Sequence, residues 1–526
     1  MPSAYDAYVQ TTLQALDDGR LRDRTLGWVV TISITLLAFA LRLFHLGQPN
    51  KILFDETYYA KDGWAVNQFG YERNWAENAN DLLVNGDPSG MQDGAAFVVH
   101  PPLGKLLIGW GEQLFGMNSF GWRFAALVFG SLLVFFTIRM ARRLSRSTLV
   151  GAIAGLLLTF DGLAFVMSRI ALLDIFQATF AVAAVSALVA DRDWFRHKLA
   201  DHLRRHDLPD LGGRFGPLLL WRPWRVVAGV MFGASCAVKW NSIYLIAAFG
   251  ILVVCWDLGA RRLAGAGRAR WFSLLIDAPA AFVQLVVVAV PVYLATWIPW
   301  LTTEGGWGRD WGANNPDNPL VKYLGQALGS LANYHREMYG FHTGDYMNVE
   351  ATHPYEAHPA GWLLMLRPIG IEAVNDIPTG TDGCEAVGQN CMRIISGMGT
   401  PILWWAALVA IVLAIGWWIV KRDWRFGAPL VAIAAAWLPW FMHTGRPQFF
   451  FYAIMIIPFS VTILAMALGK FLGPAHGPKR MVKGILVGAL VLAVIWNFAF
   501  IYPILTGELI TRSGWWLRMW LGNAWV

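Results

Sequence analysis

Two adjacent acids, Asp55 and Glu56, sit in the stretch KILFDETYYAKDGW at 51–64, a few residues past the first long apolar run. A carboxylate that close to lipid is expensive unless it has a task or a partner. One of the two can take the proton from a hydroxyl nucleophile, the work of a general base. An acid pair at a helix start, stabilised by the helix dipole, explains the same residues. The spacing alone does not choose between these readings. Four cations accompany the acids: Arg123, Arg169, Lys239 and Arg446, each in or beside an apolar run and near the same membrane face. A cation at that depth marks a functional site by default. Arginine grips a phosphate through two parallel hydrogen bonds, whereas lysine serves as a point charge. For Arg169 the structural alternative is an ion pair with Asp174. For Arg42, at the end of the first run, snorkelling to the surface is the preferred reading.

Other polar residues carry weaker signals. His100 precedes Pro101 and Pro102, which suits a loop-to-helix junction because proline is favoured at a helix start. His353, His358 and Trp362 fall in a later polar segment, where they form either an aromatic wall for a sugar or peptide, or simple loop packing. No Walker A loop and no HExxH zinc motif occurs. The single Asp-x-Asp, Asp191 and Asp193, lies in a basic stretch and reads as a solvated turn rather than a metal clamp.

These residues need a frame, and composition supplies it. Of 526 residues 56% are hydrophobic and only 15% charged, against about 25% charged in a soluble domain; mean hydropathy is +0.45. A membrane helix needs about 20 mainly apolar residues, because the hydrocarbon layer is about 30 Å thick and offers the backbone no hydrogen bonds. The apolar runs lie at 25–47, 120–140, 148–167, 170–190, 226–240, 242–258, 272–300, 398–420, 427–443, 449–469 and 484–503, about eleven spans. Aromatic rings such as Trp404, Trp405, Trp417 and Trp418 sit near the ends of runs, where amphipathic rings prefer to lie. Segment 1–23 is polar and has no apolar signal-peptide core, so the first span is expected to be retained as an anchor.

Charge sets the orientation. Arg20, Arg22 and Arg24, the group Arg139 to Arg146, the stretch 192–225, Arg261 to Arg270, Lys421 to Arg425 and Lys470 to Lys483 all fall on one set of loops. The net charge of +7 therefore follows from the positive-inside bias and does not indicate a nucleic-acid partner. Every loop obeys the bias only if the chain turns at Lys239; a single long helix there would reverse everything after it. The N-terminus is then cytoplasmic (1–24) and the C-terminus extracytoplasmic. Within the membrane domain, 25–526, two outer loops stand out, 48–118 and 301–397. The first holds two amphipathic stretches, 54–70 and 103–117, suited to lying along the surface. Cys384 and Cys391 share the second loop, where an oxidising compartment favours a disulfide; Cys236 and Cys255 lie in apolar segments as inert packing.

The order of several motifs resembles the protein O-mannosyltransferases: HPPLGKLL at 100–107, SRIALLD at 168–174, VKW at 238–240 and GRPQFFFY at 445–452. The stretch HPYEAHPAGWLLMLRP at 353–368 is similar to that of the actinobacterial members. The resemblance runs from about Phe54 to Tyr452. It implies an all-α membrane fold of the GT-C glycosyltransferase class in the plasma membrane, with polyprenyl-monophosphate-mannose as donor. It implies Ser and Thr hydroxyls of unfolded exported polypeptides as acceptors, and action near the secretion translocon. The base maps onto Asp55, with Glu56 as an acidic neighbour that binds acceptor or sugar. The reaction inverts the anomeric carbon in one displacement. A lipid phosphate is already a good leaving group and needs positive charge as the bond breaks; Lys239 and Arg446 lie in the motifs closest to the family's. Cations in that role replace a metal, so no cofactor beyond the donor is expected.

Three other classes compete. A lipid transporter would show repeats and broken helices around a mid-membrane site, and no repeat occurs here. Another GT-C enzyme, acting on a lipid or polysaccharide, would share the Asp-Glu loop. A scaffold would leave the acids and the four cations without purpose.

Overall fold

The computed structural model describes residues 4–16, 23–344, 352–443 and 445–526. Arg20 and Arg22 lie outside the described residues. Eight described helices are long and apolar enough to cross a membrane: Arg24–Leu43, Ser119–Ser145, Leu173–Arg205, Trp240–Leu263, Asp277–Ala295, Pro401–Lys421, Trp424–Met442 and Arg480–Ile501. Each overlaps one apolar run. The other three runs correspond to shorter helices, Thr148–Thr159, Pro223–Cys236 and Ile457–Leu472. The first of these is continued after a break by Gly162–Met167, and the last follows the 3-10 turn Phe450–Met455. Burial ranks the helices: Leu173–Arg205 is 89% buried over its apolar window and forms the axis of the bundle, whereas Asp277–Ala295 is 22% buried and lies at the periphery.

At Lys239 the chain does turn. The helix Pro223–Cys236 ends, Lys239 is extended (φ −147°, ψ 139°), and a new helix begins within four residues. Two sequence expectations nearby need correction. Arg42 does not snorkel: it is fully buried, and its guanidinium donates to Ser168 Oγ (3.1 Å) and to the carbonyls of Ala38 and Leu158. Asp191 and Asp193 are not in a turn but within the long axial helix. Asp191 is buried against Arg222 and Arg225, at 2.7 and 3.1 Å, and Asp193 pairs with Arg146 at 2.9 Å. A charge removed from water at such a depth must be paired.

The loop after the first span folds into two helices, Glu56–Phe69 and Leu103–Phe115, joined through a two-stranded ribbon, Arg73–Trp75 with Met91–Ala95. The helices touch at Gly63 and Gly109. A Cβ on Gly109 would fall 2.2 Å from the Gly63 carbonyl oxygen, so only glycine permits the approach. The later loop carries the helix Pro319–Thr343, kinked at Gly325, and the antiparallel strands Ile369–Ile377 and Cys391–Gly397, to which Leu509–Thr511 from the C-terminal segment adds a third strand. Cys384 and Cys391 are joined by a disulfide, their Cα atoms 5.8 Å apart.

Candidate active site

The Asp-Glu pair is set by a strained backbone. Phe54 has φ +48°, a left-handed conformation costly for a bulky residue. Behind it Glu56 N donates to Leu53 O and opens the Glu56–Phe69 helix. The turn separates the two acids completely. Glu56 is fully buried and points into the protein. It takes a bidentate pair from Arg123 (2.8 and 3.0 Å) and the backbone N–H groups of Leu53 (2.9 Å) and Ala171 (3.0 Å). Arg123 also donates to the carbonyls of Leu46, Pro49 and Lys51. A guanidinium has five N–H donors, and these partners occupy them. Glu56 and Arg123 therefore form a buried clamp that holds loop 46–56 against the second and fourth apolar runs. Neither has a group left for sugar or phosphate, contrary to the expectation from sequence.

Arg169 also departs from both of its expected roles. Its guanidinium donates to the carbonyls of Arg42 (2.8 Å), Phe44 and His45 (2.9 Å), satisfying acceptors at the C-terminal end of the first span. It forms no ion pair with Asp174, which pairs with Lys239 instead.

Asp55 is the opposite case. It stands at the helix N-cap but makes no side-chain cap bond. Among the described residues its carboxylate has no hydrogen-bond or ion-pair partner, and it is only half-buried. Burial raises its proton affinity to a pKa of about 6; the positive charge of Lys239 opposes the shift, and the negative charge of Asp174 adds to it. Those two residues pair with each other at 2.7 Å, and the Lys239 ammonium lies 5.3 Å from the ring centre of Tyr452. Leu103 N donates to Ala237 O, stitching the His100-Pro-Pro segment onto the Lys239 turn. Arg446 completes the group. Its Nε is buried with no hydrogen-bond partner, and no described carboxylate pairs with it. His100, partly exposed, is held well below its ordinary pKa, chiefly by desolvation, with Lys239, His342, Lys105 and Arg446 adding to the effect.

Rings surround this group. His353 packs its ring on Phe449 (4.9 Å) and on Phe54 (6.1 Å), next to Asp55. His358 instead caps the turn Pro359–Gly361 by accepting from Ala360 N. Trp362 is buried, donates to Ala357 O at 2.9 Å and supports Tyr452 edge-on. These two are scaffold, not wall. An array that sequence reasoning missed lies on the helix Pro319–Thr343. His335 stacks on Trp240 (5.7 Å) and its Nε2 shares a hydrogen bond with the Tyr293 hydroxyl (2.7 Å), which also accepts from Trp240 Nε1 (2.9 Å). His342 stacks on His100 (5.3 Å). The available signal was the seven-residue spacing of His335 and His342, two turns along one helix face.

A half-buried carboxylate, unpartnered among the described residues and within reach of the Lys239 charge, can remove a proton, while Lys239 and Arg446, both within electrostatic reach of His100, can stabilise a departing anion. Among the described residues no cluster of three or more His, Cys, Asp or Glu side chains could hold a metal ion.

Comparison with known proteins adds to this geometry. Residues 90–200 match the family described as dolichyl-phosphate-mannose-protein mannosyltransferase. Residues 328–525 match the C-terminal four-transmembrane region of protein O-mannosyltransferase. The chain is 40% identical over 512 residues to a polyprenol-phosphate-mannose–protein mannosyltransferase of Mycolicibacterium smegmatis (strain MKD8), covering 95% of this chain and 93% of that one. It is 38% identical over 511 residues to the protein of the same description in Mycobacterium tuberculosis (strain CDC 1551 / Oshkosh), covering 95% and 92%. Its fold superposes on the S. cerevisiae protein O-mannosyltransferase Pmt1-Pmt2 complex bound to the sugar donor with a TM-score of 0.68 at 12% identity, over 95% of this chain and 92% of that one.

Proposed function

The chain belongs to the protein O-mannosyltransferase family, and on that premise we propose that it moves mannose from polyprenyl-monophosphate-mannose to Ser and Thr hydroxyls of exported polypeptides, with Asp55 as general base. It is a multi-pass membrane glycosyltransferase of the GT-C fold. The observation that carries the residue assignment is the contrast within the acid pair: Glu56 is spent on Arg123, while Asp55 is unpartnered and faces the Lys239–Asp174 pair. Asp55 accepts the acceptor's hydroxyl proton as that oxygen attacks the anomeric carbon. The bond from that carbon to the phosphate oxygen breaks with its electrons leaving on the phosphate, and the configuration inverts. Arg446 and Lys239 stabilise the released phosphate.

The site lies on the extracytoplasmic side in this reading. Arg142 and Arg143 end the helix that Ser119 begins, so the basic end of that helix is opposite the Asp55 end. Loops 48–118 and 301–397 then face outward in the plasma membrane, towards polypeptides leaving the secretion translocon. The test is transfer from the donor to a Thr/Pro-rich peptide by the purified protein. Transfer only to a lipid or glycan acceptor would keep the enzyme class and remove the polypeptide acceptor.

Two expectations follow from the geometry. Arg446→Gln is expected to lower kcat by about 10²–10³, the usual loss for one donor aimed at developing negative charge, with donor KM changed much less; an unchanged kcat removes Arg446 from the phosphate. The base must be ionised, so kcat/KM is expected to rise with pH through about 6 and level off above it, the limb set by free-enzyme Asp55. Asp62, which burial first raises to about 7 beside Lys105 and Glu72, titrates in the same range. The limb should therefore persist in Asp62→Asn.

A further inference from the structure

At the other end of the bundle a cavity of about 240 Å³ opens between the start of the helix Thr148–Thr159 and the end of the helix Ile457–Leu472. The helix Ser119–Ser145 runs from one end to the other. Arg123 is clamped near Asp55 and Ser145 lines the cavity, about 33 Å away at 1.5 Å per residue. Three cations line it, Arg425, Lys470 and Arg480. Among the described residues the carboxylate of Asp423 pairs with two of them, at 2.7 Å from Arg425 and 2.9 Å from Lys470. Arg480 pairs with no described carboxylate; it donates to the carbonyls of Leu472, Gly473 and Pro474, which hold its guanidinium at the rim. The N-terminus of the helix Thr148–Thr159, with Leu149 and Val150 in the wall, adds its positive dipole end. Ser145 and Ser147 add hydroxyls to the wall, and its apolar part includes Phe426 and Met466.

We infer that this cavity binds the phosphate headgroup of an anionic phospholipid. Excess positive charge selects an anion. The apolar half of the wall and the position at the end of membrane-spanning helices select one that carries acyl chains rather than a free ion. Basic pockets between membrane helices hold phospholipid headgroups by this combination. The site is separate from the transfer chemistry and does not depend on which acceptor is used.

The experiment uses the full chain in phosphatidylcholine nanodiscs with phosphatidylglycerol titrated in, reading retained phosphatidylglycerol by native mass spectrometry. With about 1 kcal/mol per cation near a membrane surface, Lys470→Gln/Arg480→Gln is expected to bind about thirtyfold more weakly, and Lys470→Gln alone about fivefold. Lys421→Gln/Lys483→Gln, which removes the same charge outside the cavity wall, is expected to bind as wild type does. Mannosyl transfer in detergent should stay within about twofold in all variants, showing that they fold. Equal retention by wild type and the double cavity variant overturns the inference. So does an equal loss in the Lys421/Lys483 control, which would indicate surface charge alone. Inorganic phosphate that displaces the lipid at micromolar concentration would overturn the lipid assignment in favour of a soluble anion.

Discussion

Asp55→Asn is expected to lower mannosyl transfer by about two to four orders of magnitude, the range for a lost general base, while the protein still binds its lipid donor. Asparagine keeps the shape and cannot accept the hydroxyl proton. The same substitution is expected to leave the fold intact or firmer. The Asp55 carboxyl has its pKa raised from 3.8 to about 6, first by burial. A group with raised folded-state pKa contributes stability that is full below its unfolded value and lost as pH rises through the folded value. Above about pH 6 the ionised Asp55 therefore burdens the folded state, and Asn relieves it. Thermal unfolding at pH 7.5 and at pH 4 checks the sign: the gain in Tm should be present at the first pH and shrink at the second. Activity near wild type would remove Asp55 as the base. Lost activity with a lower Tm would assign it a structural role instead.

Arg123→Met should produce the largest loss of stability of any single change at the site, about 3–5 kcal/mol, because it strands the fully buried Glu56 carboxylate without its cation. It also leaves the carbonyls of Leu46, Pro49 and Lys51 without a donor. Adding Glu56→Leu is expected to recover part of the loss and not all, since those carbonyls stay unsatisfied. Thermal unfolding in detergent measures both. Glu56→Gln sharpens the contrast with Asp55. It should lose activity and Tm together, and its residual activity should keep the pH limb near 6, because Asp55 still performs the chemistry. A Glu56→Gln protein with wild-type Tm and abolished transfer would place Glu56 among the reacting groups and sink the clamp.

The acid pair shows what tertiary structure alone could decide. In the chain Asp55 and Glu56 are neighbours of one chemical type, and no local rule separates them. Arg123, 67 positions away, claims one and leaves the other. The four cations divide in the same manner. Arg123 is consumed by Glu56 and the carbonyls of Leu46, Pro49 and Lys51, and Arg169 by carbonyls at the end of the first span, whereas Lys239 remains within reach of Asp55 and Arg446 Nε is left without a partner. Arg42 was read as a surface residue because its partners, Ser168 and Leu158, lie more than a hundred positions on. The strand Leu509–Thr511 closes a sheet with Cys391–Gly397 across a similar distance. Membrane class, the succession of apolar runs and the turn at Lys239 were legible in the sequence. Each follows from hydropathy or charge summed over a window of about 20 residues, the length that the bilayer itself imposes. The partner of each buried charge was not legible. It depends on pairwise contacts a few ångströms long between residues far apart in the chain, and those exist only once the helices have packed.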